Sequence, residues 1–308
     1  MPNMLTYGQF TRYPRDITEL LKKYFRILNT ELYLYLIFKI YNMAILQGDI
    51  QFTGSVGDLS FYREKGTNRI IVRMKGGPSK KQIQKDPAFE GVRKNNKEFG
   101  GCSMAGKQIR IALGPLDGLT NHNYSGYLNA WIRNILKRDT EHPLGQRAVY
   151  FSKFGETLNG FYLNRNKPLD TIVRTPITFT LNRNECRALV NLPAVDPKLH
   201  LINDYKYPFF RFVVSLCVVS DLEYNEKYKT YRKLSTGNSP KNCIQSGWHS
   251  TNGTCASQPL AIAVDKISAL SENEALVLAA GIEFGTPDTS GIVQAKKYSG
   301  SGKILSVG

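Results

Sequence analysis

Residues 209–220 read FFRFVVSLCVVS and residues 275–284 read ALVLAAGIEF. Each is an almost unbroken apolar run, the pattern of a strand covered on both faces rather than on one. Around them, from about Val149 onward, short apolar runs alternate with Pro, Gly, Asn and Asp, and the hydrophobic period moves from 3.6 toward 2. Further strands are predicted at 175–181, 188–191, 260–264, 292–296 and 303–307, with 236–259 as a long loop. Six or seven strands in roughly 130 residues predict a two-sheet, sandwich-like all-β domain.

The chain upstream reads differently. Residues 45–75 form three short β-rich runs, ILQGDIQF, DLSFYR and NRIIVRMK, with Gly54, Gly57 and Gly66 supplying the positive φ of tight turns. Gly76, Gly77 and Pro78 end this meander, Ser79 caps a helix opening KKQIQK, and Asp86–Pro87 opens a second, PAFEGVRKNNKEF, which Gly100 and Gly101 are expected to stop. A third helix is predicted at 103–113. A fourth, at 125–137, carries Leu128, Trp131, Ile132, Ile135 and Leu136 as one buried stripe. The fold class is therefore α+β: a basic module at 43–149 with an N-terminal hairpin or meander plus helices, then the β domain at 150–308.

Residues 1–42 stand apart as an accessory segment. Leu20, Leu21, Tyr24 and Leu28 share a helical face, and LYLYLIF at 32–38 is an apolar run far short of the roughly 20 residues that span a bilayer. Glu31 precedes that run and no small-residue cleavage pattern follows, so it does not fit a secretory signal, and no membrane span is expected. Met43, opening MAILQGDIQF, reads as the original start.

Composition bounds function. With 308 residues, 42% apolar and 21% charged, the chain is neither disordered nor collagen-like. Lys and Arg number 41 against 25 acids, a net +16 that favours acidic partners. Five widely spaced cysteines (Cys102, Cys186, Cys217, Cys243, Cys255) and four scattered histidines make neither a disulfide framework nor a zinc module, and a reducing cytoplasm is the simplest compartment. Cys243 and Cys255 bracket His249, without the spacing of a metal site.

The string most like an enzyme motif is GCSMAGKQ at 101–108. It matches the phosphate-cradling pattern as far as the lysine, but Gln108 stands where Ser or Thr must hold magnesium, and the residues before it are charged and helical. Asp221, ending the apolar run at 209–220, is equally explained as a strand leaving the core, and SGSGKILS near the C-terminus is a turn. His122, His142, His200 and His249 lie in polar, turn-like surroundings, and no cofactor or catalytic residue is assigned. Glu98, Arg93 and Asn95 suggest a helix-face network.

Charge concentrates between Arg63 and Arg110, where 13 basic residues face four acids. Phe61 and Tyr62 interleave there with Arg63, Lys65, Arg69, Arg73 and Lys75, and Lys80 and Lys81 follow. These nine residues can combine phosphate contacts with a stacking surface. The other reading is a solvated basic face.

The series GDIQFTGSVGDLSFYREKGTNRIIVRMKGGPSKKQI, DPAFEGVRKNNKEFGG and AGKQIR resembles an uncharacterised family of Bacteroidota proteins. The resemblance implies a bacterial origin and a start just before the first strand; it carries no activity and no catalytic residue. The sequence thus leads to a non-enzymatic structural or assembly protein whose partner is itself or another protein. The hairpin, the loop around Trp248 and the C-terminal strand are the expected binding edges. The alternative is nucleic-acid binding through the basic segment.

Overall fold

The computed structural model describes residues 43–46, 53–64, 67, 69–120, 124–235, 239–264 and 269–308. The helix expected at 17–28, the apolar run at 32–38, Lys65, Gly66 and His122 lie outside the described residues. The chain divides into two compact units, Met1–Ser79 and Lys80–Gly308. That boundary differs from the one expected at 149/150, because the helices between them share a core with the C-terminal sheet.

In the first unit, β1 (Met43–Leu46), β2 (Gly54–Val56), β3 (Leu59–Arg63) and β4 (Ile70–Met74) form an antiparallel sheet in the order β1-β4-β3-β2. The meander is as expected, with one strand more: GSVG, read as a turn, supplies β2. Gly57 turns the chain from β2 into β3 at φ +54, which a side chain would strain.

The second unit opens with α1 (Lys80–Lys85). The Asp86 carboxylate then accepts a hydrogen bond from the Ala88 N–H at 2.9 Å and caps a single 3-10 turn, Pro87–Phe89. From it runs α2 (Glu90–Ala112), 23 residues without a break, where the sequence predicts two helices separated by glycines. Gly100 is open to space within the helix, while Gly101 and Gly106 are contact points. A Cβ on Gly101 would lie 2.7 Å from the Tyr231 ring, and one on Gly106 would strike Asn129 of α3 (Ser125–Lys137). The cost of about 1 kcal/mol for a glycine in a helix is offset by the close approach it permits.

Short helices α4 (Phe151–Phe154), α5 (Leu169–Ile172) and α6 (Pro197–His200) punctuate the β-rich half. Its frame is the antiparallel pair β7 (Phe209–Ser220) and β13 (Glu274–Pro287), in continuous register from Ser220↔Glu274 to Phe209↔Gly285. Strand β10 (Lys241–Gln245) and the two-residue β11 (His249–Ser250) line one side of β7, while β14 (Val293–Ala295) and β15 (Ser301–Val307) line the far side of β13. Strands β5 (Thr178–Asn182), β6 (Arg187–Leu192) and β12 (Gln258–Ala263) form a second sheet, and β8 (Leu222–Asn225) pairs with β9 (Thr230–Lys233).

Alternation along β7 and β13 sends the two sets of side chains into two cores. Val213, Cys217 and Val219, with Ala275, Val277 and Ala279, meet Ala105 and Ile109 of α2 and Leu128 and Ile132 of α3. Phe210, Phe212 and Val214, with Leu276, Leu278 and Ile282, meet Val190 and Ile262 of the three-stranded sheet. The large sheet is thus covered by a sheet on one face, as in a sandwich, and by helices on the other. That is why both strands read as continuous apolar runs. The expected loop at 236–259 in fact contributes β10 and β11, whose polar sequences hid them.

Candidate interaction surfaces

Of the candidate residues described in the first unit, Tyr62, Arg69, Arg73 and Lys75 lie on one face of the small sheet and Phe61 and Arg63 on the other. In the register of β3 and β4, Tyr62↔Ile71 and Ser60↔Arg73 share one face of the small sheet, and Phe61↔Val72 and Arg63↔Ile70 share the other. Continuing the alternation places Arg69 and Lys75 with Tyr62 and Arg73. The Arg73 guanidinium lies 5.5 Å from the centre of the Tyr62 ring. The same alternation puts Glu64 and Asp58 on that face, opposite Arg69 and Lys75; the Glu64 amide donates to the Arg69 carbonyl at 3.0 Å and the Lys75 amide to the Asp58 carbonyl at 2.5 Å. Lys75 Nζ is further engaged by the Gly57 carbonyl at 3.0 Å. Phe61 is buried, and Lys80 and Lys81 are exposed on α1, in the other unit.

The opposite face of the small sheet carries a feature that the sequence reading missed. Val56 pairs with Leu59 and Leu59 with Met74, so the three stand in one row across β2, β3 and β4. All three side chains are exposed. Phe61 and Ile70, farther along the same face, are buried. Alternation across the glycine turns was the signal for this row.

One of the three expected binding edges, strand β15, is closed. Strand β15 is bordered by residues 160–163: Gly160 donates to the Ile304 carbonyl at 2.9 Å, Ile304 to Phe161 at 2.9 Å, and Leu163 to Gly302 at 2.8 Å. Trp248 lies over Gly285, where an added Cβ would come within 2.7 Å of its ring, and Arg211 stacks on it at 4.4 Å while pairing with Glu283 at 2.5 Å. Strand β15 is thus paired on both sides within its unit, whereas Trp248 is only half-buried.

The chemistry-bearing residues are structural in their contacts. GCSMAGKQ is interior to α2, so it forms a continuous stretch of helix and not a loop. Asp221, at the end of β7, accepts from the Ser152 N–H at 3.0 Å and the Ser152 hydroxyl at 2.5 Å, and so holds the start of α4; burial pushes its carboxyl up. His142 Nδ1 meets Asp139 at 2.8 Å, His200 Nδ1 accepts from the Asp196 amide at 3.1 Å, and His249 stands 5.5 Å from the Phe210 ring. All five cysteines are free thiols. Glu98 pairs with Arg147, not Arg93, whose guanidinium donates to the carbonyls of Ile83 and Asp86. A depression of about 400 Å³ lies along the outer face of the three-stranded sheet, floored by Thr180, Leu189 and Ala261, without a nucleophile–base pair. Among the described residues no helix is long and apolar enough to cross a membrane.

Comparisons with protein-family models, curated proteins and solved structures return no match for this chain.

Proposed function

We propose that this protein is a non-enzymatic assembly subunit that associates with further copies of itself. The observation that carries the reading is the row Val56–Leu59–Met74, exposed in a sheet whose strands are only three to five residues long. So small a sheet buries little apolar surface of its own, and small units of this kind gain stability by association. An exposed apolar row marks a contact surface.

The test is the double substitution Leu59→Glu, Met74→Glu in the full chain, followed by sedimentation velocity over a concentration series. A shift toward smaller species with unchanged thermal unfolding supports the reading. Unchanged sedimentation of the variant overturns this row as a contact.

A second reading, a nucleic-acid-binding face, is supported by the Arg73–Tyr62 stack between Arg69 and Lys75. Asp58 and Glu64 offset most of the charge there, which places it second. Three phosphate contacts to a single strand would give a log–log salt slope near about −2. Binding of a labelled oligonucleotide with that slope, lost in Arg73→Ala, would promote this reading over assembly.

A further inference from the structure

A cavity of about 230 Å³ opens on the second unit between two loops, residues 164–167 before α5 and residues 202–205 before β7. Ile172 of α5, Phe284 of β13 and Ser299 are buried and make its floor, while Thr171 and Tyr205 are exposed at its mouth.

Both loops are held in shape by their own side chains. Asn164 Oδ1 accepts from the Asn166 and Lys167 amides, each at 3.1 Å. Asn203 engages Tyr207 with both ends of its amide: Nδ2 donates to the Tyr207 carbonyl at 2.8 Å, and Oδ1 accepts from the Tyr207 N–H at 3.1 Å. The Ile202 N–H donates to the Ile172 carbonyl at 2.9 Å and ties the second loop to α5. Walls fixed in this way reduce the ordering cost that binding must offset.

The mouth carries one positive and one negative group. Lys167 Nζ donates to Asp204 Oδ2 at 2.5 Å and lies 4.8 Å from the centre of the Tyr205 ring. The two side chains are 37% and 52% exposed, and so solvated a pair holds its members together only weakly. A ligand can exchange with it, and the exchange is balanced only when the ligand brings both charges. A carboxylate alone would be drawn to Lys167 and repelled by Asp204, and an amine alone the reverse. The two charges must also stand close together, as Nζ and Oδ2 do. The volume, below the roughly 300–1,000 Å³ of drug-sized pockets, sets a small ligand, and the floor of Ile172 and Phe284 requires an apolar part.

We infer that this cavity binds a free α-amino acid with an apolar side chain, its carboxylate on Lys167, its ammonium on Asp204 and its side chain over Phe284 and Ile172. An α-amino acid bears its two charges on one carbon, which meets the close spacing of the pair. This binding function goes beyond the assembly reading and does not depend on it.

The experiment is calorimetric titration of the full chain with phenylalanine, leucine, glycine, phenylpropionate and phenethylamine, in wild type, Lys167→Ala and Asp204→Ala. Both substituted side chains are partly exposed, and unfolding curves check that each variant is folded. The expected result is saturable binding of phenylalanine and leucine to wild type, at least about tenfold weaker binding of glycine and of the two singly charged analogues, and at least about tenfold weaker phenylalanine binding in each variant. The comparison among ligands in wild type decides the matter even where a variant fails to fold. Absence of phenylalanine and leucine binding overturns the inference. So does phenylpropionate or phenethylamine that binds as tightly as phenylalanine, or phenylalanine binding that both folded variants leave unchanged.

Discussion

Glu98 and Arg147, 49 residues apart in the chain, form a two-point ion pair: Arg147 Nε donates to Glu98 Oε1 at 2.7 Å and Nη2 to Oε2 at 2.7 Å. The Gly145 N–H adds a third hydrogen bond to the same carboxylate at 2.8 Å. Glu98 is buried on α2 and Arg147 is mostly so, and the pair fastens the segment after α3 onto α2. Tyr231 completes the joint by donating its hydroxyl to the Arg147 carbonyl at 2.8 Å, while its ring lies against Gly101.

Removing one partner leaves the other charge buried and unmatched. Glu98→Gln is expected to destabilise the second unit by about 3–5 kcal/mol, the usual cost of breaking such a pair. Urea denaturation followed by tryptophan fluorescence measures it, and a loss below about 1 kcal/mol would mean the pair is effectively solvated.

The pair also sets the acid limb of stability. Burial alone raises the Glu98 carboxyl, but hydrogen bonds from Arg147 and Gly145 and the Arg147 charge outweigh it and hold the group below its ordinary 4.5. Asp139 behaves likewise: burial raises it, and bonds from the Ala148 and Glu141 amides and from His142 bring it below 3.8. A carboxyl depressed by folding contributes stability that is complete above its unfolded value and is lost as pH falls through the folded one. The Tm is expected to drop as pH falls below about 4.5, and Glu98→Gln to flatten that drop. Scanning calorimetry from pH 6 to pH 3, about the window named by these shifts, is the check; parallel profiles for wild type and variant would contradict it.

Gly101→Ala tests whether GCSMAGKQ is a packing motif. The added Cβ meets the ring of Tyr231, which is itself buried and hydrogen-bonded. Overpacking of this kind costs about 1–3 kcal/mol. Lys107→Ala, on the exposed side of the same string, should change monomer stability by less than about 0.5 kcal/mol. Equal effects of the two substitutions would argue against this account.

The thiols give a fourth expectation. Burial pushes Cys217 up to about 12 and Cys102 to about 11, with the neighbouring Glu98 raising Cys102 further and Arg133 lowering it. Neither ionises at neutral pH, and both are shielded by the core. Labelling of the native protein with a maleimide, read by peptide mass spectrometry, should leave these two unmodified until denaturant is added. Rapid native labelling of Cys217 would mean that β7 is not covered on its helical side.

The central strands were legible because burial on two faces leaves few polar positions in β7 and β13. Helix α3 was legible because its one buried face repeats at three and four residues. Helix α2 was not, since Gly100 and Gly101 carry the local signature of a break, and the use of Gly101 depends on Tyr231, which is distant in sequence. Strands β8, β9 and β10 escaped because pairing, rather than apolar pattern, defines them. The basic segment was legible as composition, but its division between two sheet faces and two units follows from register and from the break after Ser79.

The central claim is that the protein assembles with itself through apolar surfaces and independently of nucleic acid. Size-exclusion chromatography with light scattering, on nuclease-treated and untreated protein at low and high salt, tests it most directly. The account predicts a defined oligomer that survives nuclease and persists or strengthens at high salt. A monomer that carries nucleic acid at low salt and sheds it at high salt would contradict it, and would give the face of Tyr62 and Arg73 the leading role.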